Sequence, residues 1–278
     1  MLYYYYLSII IILLIILNNN KFKLNKNVFN TINFLKKKDV KNIIFSYLNK
    51  LNLFELQHKT KVYNKNNFFL KNIYFNRIIE FNNSEKKILK SIVKSINKKL
   101  QINFKWNIVK CINIEFNFPF TLHNTIFLPN ILAQNLKNNF KFRELLLHEQ
   151  LHIIQRFNKK YFNNIYIKKY KLIKSKIIFN NLILKHKISN PDGMSNWIFK
   201  ENNKYYFPIM LYLKKKINTN FCIEVIHLKN NIFQIFNNKL YKIKNFKFSK
   251  KFKIYKSLYH PNELFVDNYL LLIKEKLI

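Results

Sequence analysis

Glu144-Leu145-Leu146-Leu147-His148-Glu149-Gln150-Leu151-His152-Ile153-Ile154-Gln155 is the stretch on which the reading of this chain turns. Its apolar residues recur at helical spacing and predict a long helix from about Phe142 to Phe157. On a helix, positions i and i+4 stand one above the other, so the imidazoles of His148 and His152 can reach one metal ion. Glu149 falls on the adjacent face, where it can take a proton from water held by a metal rather than bind the metal itself. The flanking leucines and isoleucines would bury this helix against a sheet, and a buried histidine pair without partners is costly.

A zinc site needs a third protein ligand. The best candidate lies in Tyr259-His260-Pro261-Asn262-Glu263-Leu264-Phe265-Val266-Asp267. Pro261 marks a helix start, which puts Glu263 in the first turn and Asp267 one turn later on the same face. Glu263 would ligate, and Asp267 would accept a hydrogen bond from the outer nitrogen of a ligating histidine. The alternatives are a first-turn carboxylate that merely complements the helix dipole, or His260, His186 or His227 as third ligand. Aspartate occurs three times in the whole chain, which adds weight to Asp267.

The two motifs together resemble the gluzincin type of zinc metallopeptidase, the thermolysin-like arrangement. The resemblance implies that His148, His152 and Glu263 hold Zn2+, that Glu149 is the general base and that Asp267 orients a ligand. It implies an α+β, zincin-like catalytic body that hydrolyses peptide bonds in a peptide or protein substrate. The edge strand that aligns substrate backbone in that family would fall around Phe120 to Leu128. The chain is also similar, more loosely, to H-E-x-x-H proteins of large DNA viruses with an Asn-Pro-Asp-Gly segment between the motifs. Its departure from the gluzincins is the gap, since 110 residues lie between His152 and Glu263. A metzincin is disfavoured because Asn158 stands where a third histidine would be.

Composition excludes other chemistries. The one glycine, Gly193, rules out a dinucleotide-binding G-x-G-x-x-G turn and a P-loop. Two cysteines cannot make a disulfide scaffold. The net charge of +37 comes with 45 asparagines and abundant Lys, Ile, Phe and Tyr, the signature of an A/T-rich coding sequence. Such a surface attracts anionic lipid or nucleic acid without specificity, and a basic protein holding either is one rival reading. A catalytically inactive zincin-fold structural or membrane-associated protein is the other.

Met1 to Leu17 carries no charge and ends in Asn18–Asn20 and the lysines beyond. With the collar Tyr3–Tyr6 it predicts a single-pass anchor over 1–20, with the body cytosolic or inside a virion. Residues 21–100 read as a helical region, including Asn30–Leu35 with Thr31 or Asn30 as cap, and Glu85–Val93 with Asn83 or Ser84 as cap. The catalytic domain is expected over 101–278. Strands are expected at Ile102–Lys105 and Ile108–Phe118, and an edge strand or hairpin between Pro119 and Pro129. A helix over Tyr161–Ile178, strands between Phe221 and Phe252 and a helix over Pro261–Leu277 complete the forecast. Pro191-Asp192-Gly193 predicts a tight turn with Gly193 at positive φ. Arg143 and Arg156 flank the metal helix as candidates for carboxylate pairing. His227, His186 and Tyr259 are possible oxyanion donors.

Overall fold

The computed structural model describes residues 32–100, 104–252 and 257–277. The chain is α+β. Its first part runs β1 (Ile32–Phe34), α1 (Lys37–Leu48), α2 (Leu53–Thr60), α3 (Asn67–Asn76), β2 (Ile78–Ile79), α4 (Asn83–Leu100), β3 (Trp106–Cys111), β4 (Phe120–Leu122) and β5 (Thr125–Pro129). These strands form one sheet in the order β1-β3-β5-β4, with β2 also paired to β3. Strands β1 and β5 run parallel to β3, and β4 is antiparallel to β5 at the edge. Every residue of β3 is buried, as a central parallel strand requires. Its Lys110 is tolerated because Glu85 takes the ammonium at 2.7 Å.

Then follow α5 (Asn130–Ala133), α6 (Phe140–Phe157) and α7 (Lys159–Lys168). Asn139 starts α6 by accepting the Phe142 N–H through its side chain. Helix α6 carries the histidine motif and packs on β4 and β5 of the sheet, on α4, and on the last helix, α9 (Pro261–Leu277). Between α7 and α9 lie β6 (Ile173–Ile178), α8 (Asn181–Leu184), β7 (Asn196–Glu201), β8 (Lys204–Leu213), β9 (Lys216–Lys229) and β10 (Ile232–Lys242). These five strands close into a barrel, β6 completing it by parallel pairing with β10. Its interior is apolar, filled by Ile198, Phe207, Ile209, Ile223, Val225 and Phe233. The long gap between the two motifs is therefore an inserted barrel with its own core, and the chain returns from it to place Pro261–Leu277 beside α6.

Several expectations are corrected. Ile32–Phe34 is a strand, its apolar residues drawn onto β3 rather than into a helix. One sheet thus takes strands from both sides of residue 100. The cap of α4 is Asn82, in a reciprocal pair with Glu85 at 2.8 Å each way. The strand expected to reach Phe118 stops at Cys111, because Asn113 and the run Glu115–Asn117 take positive φ. That turn sends Glu115 inward to a buried Lys59, with Tyr47 and Tyr74 each donating to it at 2.9 Å. The helix expected to reach Ile178 ends at Lys168, and β6 follows a left-handed Lys171. Strand structure begins at Ile173, well before Phe221, and ends at Lys242. Among the described residues no helix is long and apolar enough to cross a membrane, and the anchor expected over Met1–Leu17 lies outside them.

Gly193 has no positive φ. Asparagines and lysines, such as Asn202, Asn203, Lys214 and Lys215, supply the left-handed turns instead. What Gly193 provides is closeness, since a methyl group there would overlap the imidazole of His260. That ring is only 6% exposed and cannot swing away. Gly193→Ala is expected to lower stability by about 1–3 kcal/mol, the cost of overpacking a buried site, measured as a shift of the urea midpoint.

Candidate metal centre

Three donor atoms converge where α6 meets α9. His148 Nε2 and His152 Nε2 lie 3.0 Å apart. Glu263 Oε2 is 3.2 Å from His148 Nε2, and Oε1 is 3.3 Å from His152 Nε2. These residues form a cluster that could hold a metal ion, with all donor atoms within 4.8 Å of one another. The separations match a tetrahedral zinc shell, in which ligands at about 2.0–2.1 Å sit about 3.3 Å from each other. Two imidazole nitrogens facing each other beside a carboxylate, with His152 fully buried, make a donor set suited to a divalent cation.

Partners outside the cluster fix the rings. His152 donates from Nδ1 to Gln155 Oε1 at 2.9 Å, which leaves the Nε2 lone pair pointing into the cluster. Gln155 is held in that sense because its Nε2 donates to the Asn262 carbonyl at 3.0 Å and to Tyr166 Oη at 3.2 Å. Asp267 faces His148 Nδ1 at 3.6 Å and accepts from Ser257. Asn190 donates to Glu263 Oε1 at 2.6 Å. Gln155, Asn190 and Asn262 were not expected as site residues. Gln155 has a signal in its position three residues after His152 on the same helix, whereas Asn190 and Asn262 stand out only as members of the Asn-Pro-Asp-Gly segment and of the motif around Glu263. Gln155→Leu is expected to weaken uptake of a divalent metal ion by this cluster 10- to 100-fold, as loss of a ligand's outer partner does, measured by competition with a chromophoric chelator.

Electrostatics follow the geometry. Burial opposes charge on both histidines, but Glu263 outweighs it and raises them, His152 to about 9. Burial also disfavours ionised Glu263, yet His152 and His148 hold its carboxyl well below the usual range. Glu149 is the contrasting group. Burial first, and then the charge of Asp192, push its carboxyl well above the usual range. It is 3% exposed, and its Oε2 has no hydrogen-bond partner.

Beside the cluster is a cavity of about 780 Å³. His148, Glu149, Glu263, Asp267, Tyr259 and Phe120 are among its lining residues, and Lys141 is the one lysine or arginine. Tyr259 is thus at the wall of the cavity. His186 and His227 are not. His186 lies near the Tyr212 carbonyl, and His227 is on β9 against Tyr205 and Phe233. His260 is occupied elsewhere, with Nε2 donating to the Ser195 carbonyl at 3.0 Å and Nδ1 accepting the Asn262 N–H at 3.1 Å. Arg156 pairs with the Asp192 carboxylate at 3.8 Å, as expected, and also donates to the Thr121 and His123 carbonyls. Arg143 is buried at the start of α6, near Asn138.

Burial depresses His260 to about 4, below its unfolded value of about 6.5. Between those values the unfolded chain binds a proton that the folded chain refuses, so this contribution to stability is complete above pH 6.5 and is lost as pH falls towards 4. The advantage of wild type over His260→Gln in metal-free protein is expected to shrink by about 3 kcal/mol from pH 7 to pH 4 in urea titrations. Comparison of the chain with protein-family models, with curated proteins and with solved structures gives no match.

Proposed function

We propose that this chain is a zinc-dependent peptidase of gluzincin-like arrangement. The observation that carries the reading is the His148–His152–Glu263 cluster lying beside a buried Glu149, whose Oε2 has no hydrogen-bond partner, at the wall of a large cavity. The sheet supports a zincin-like body: its edge strand β4 is antiparallel, α6 packs on it, and the third ligand arrives on a later helix. A bound zinc would polarise the scissile carbonyl and the attacking water.

The chain's own residues do the rest. Glu149 accepts a proton from the water and passes it to the departing amine, a role suited to a carboxyl whose burial raises its proton affinity. Tyr259, whose phenol burial keeps protonated, can donate to the negative oxygen that develops on the carbonyl. Gln155 and Asn190 hold His152 and Glu263 in place. The cavity's lining, with Lys141 its one lysine or arginine, is no groove for a polyanion. The lysine-rich surface and the anchor over 1–17 are proposed to serve location at a membrane rather than chemistry.

The test is zinc content and hydrolysis of a peptide library by residues 21–278. One zinc per chain with cleavage that Glu149→Gln abolishes is expected. A folded protein that takes up no zinc would sink the proposal.

A further inference from the structure

We propose that Asn190–Gly193 is a fixed wall across the groove beside β4, so that the site accepts peptides of a few residues or chain ends and not the middle of a long chain. The inference rests on the peptidase reading and names its substrate class.

Edge strand β4 is three residues long, and the wall crosses it at the middle one. Phe120 lines the cavity of about 780 Å³ beside the donor cluster. Leu122 lines a second cavity, of about 540 Å³, on the other side. Pro191 and Asp192 line both. Helix α6 is divided in the same way, with His148 and Glu149 on one side and Gln155 and Arg156 on the other.

An extended peptide that adds to an edge strand needs that strand's outward N–H and C=O groups. At Thr121 both are taken. Its N–H donates to Asp192 Oδ1 at 2.8 Å, and its carbonyl accepts from Arg156 at 3.1 Å. The Thr121 hydroxyl donates to the same Asp192 oxygen. A substrate backbone therefore cannot pass Thr121 while Asp192 is in place.

The segment is pinned along its length. Ile188 N–H donates to Met210 in the barrel at 2.9 Å, and β7 begins at Asn196. Asn190 is bonded to Glu263, and the Asp192 carbonyl accepts from Asn262 at 2.8 Å. Gly193 lies against the buried His260 ring. A turn held by the sheet, the barrel and α9 together is a partition and not a surface loop. The half-groove it leaves suits a ligand of drug size, roughly four residues of peptide.

Zinc-loaded protein would be dialysed to equilibrium against two peptide libraries, with retained peptide read by mass spectrometry. One library is randomised tetrapeptides with free ends. The other is randomised dodecapeptides cyclised head to tail, which present no chain end. Tetrapeptides are expected to be retained at least 10-fold more than dodecapeptides, and Asp192→Ala is expected to reduce that ratio below 3-fold. Equal retention by wild type, preference for the dodecapeptides, or retention of neither library would overturn the proposal. If Asp192→Ala does not fold, the wild-type ratio decides alone. Cleavage scored in the same samples is a separate readout, because tetrapeptides bound but left whole would keep the wall and remove the peptidase reading.

Discussion

Zinc is expected to fall from one per chain to none detectable after gel filtration when Glu263 is replaced by alanine, whereas His260→Ala keeps its zinc. The contrast follows from where the two side chains point. Both oxygens of Glu263 lie within 3.3 Å of a histidine Nε2, and no other carboxylate or histidine joins the cluster among the described residues. His260 has both ring nitrogens engaged by Ser195 and Asn262. Removing an outer partner of a ligand weakens a site by roughly 10–100-fold, and loss of a ligand itself must exceed that. Two imidazoles alone would be left to hold the ion. The His148→Ala protein is expected to behave like Glu263→Ala. Plasma emission on proteins whose circular dichroism and melting show them folded makes the measurement. Zinc retained by Glu263→Ala but lost by His260→Ala would move the third ligand and reverse the assignment.

The readable parts of this chain were those where chemistry forces a rare pattern. The H-E-x-x-H spacing on an apolar helix, Pro261 at a helix start and the prolines at each end of the β4–β5 hairpin all found their elements. The misread parts have physical causes. Three residues of β1 have apolar spacing compatible with a helix, and only their pairing with Trp106–Ile108 makes them a strand. The barrel strands carry lysines whose long stems cover apolar surface, and β8 and β10 contain irregularities that break strict alternation. With 45 asparagines in the chain, the roles of Asn190 and Asn262 in holding the site are not legible from residue type, although both fall within motifs the sequence marks. The single glycine stands out in the sequence, but its structural role is not a positive φ. Among the described residues positive φ is carried mostly by asparagine and lysine and never by the glycine, so a retained glycine signals a close contact, which depends on the distant His260 and is invisible locally.

Glu149→Gln is the substitution expected to separate chemistry from structure most sharply. Glutamine keeps the size and shape of the side chain, and Glu149 is outside the donor cluster, so zinc content should remain at one per chain. Turnover should fall by about 10²- to 10⁴-fold, the usual contribution of a positioned general base, with the loss in kcat and not in KM. The fold should not suffer. Glu149 Oε2 is buried without a partner, and an ionised carboxylate so placed opposes folding more than a neutral amide does. Thermal stability at neutral pH is therefore expected to stay level or rise, an outcome that a structural role for Glu149 would not give. A structural carboxylate would lower the melting temperature on removal and leave residual peptide cleavage in proportion to folded protein. Wild-type turnover in a zinc-loaded Glu149→Gln protein would remove Glu149 from the mechanism, and zinc loss in that variant would make it a ligand instead. The paired readouts, metal by emission and kcat on a peptide that wild type cuts, decide among these without further structural information.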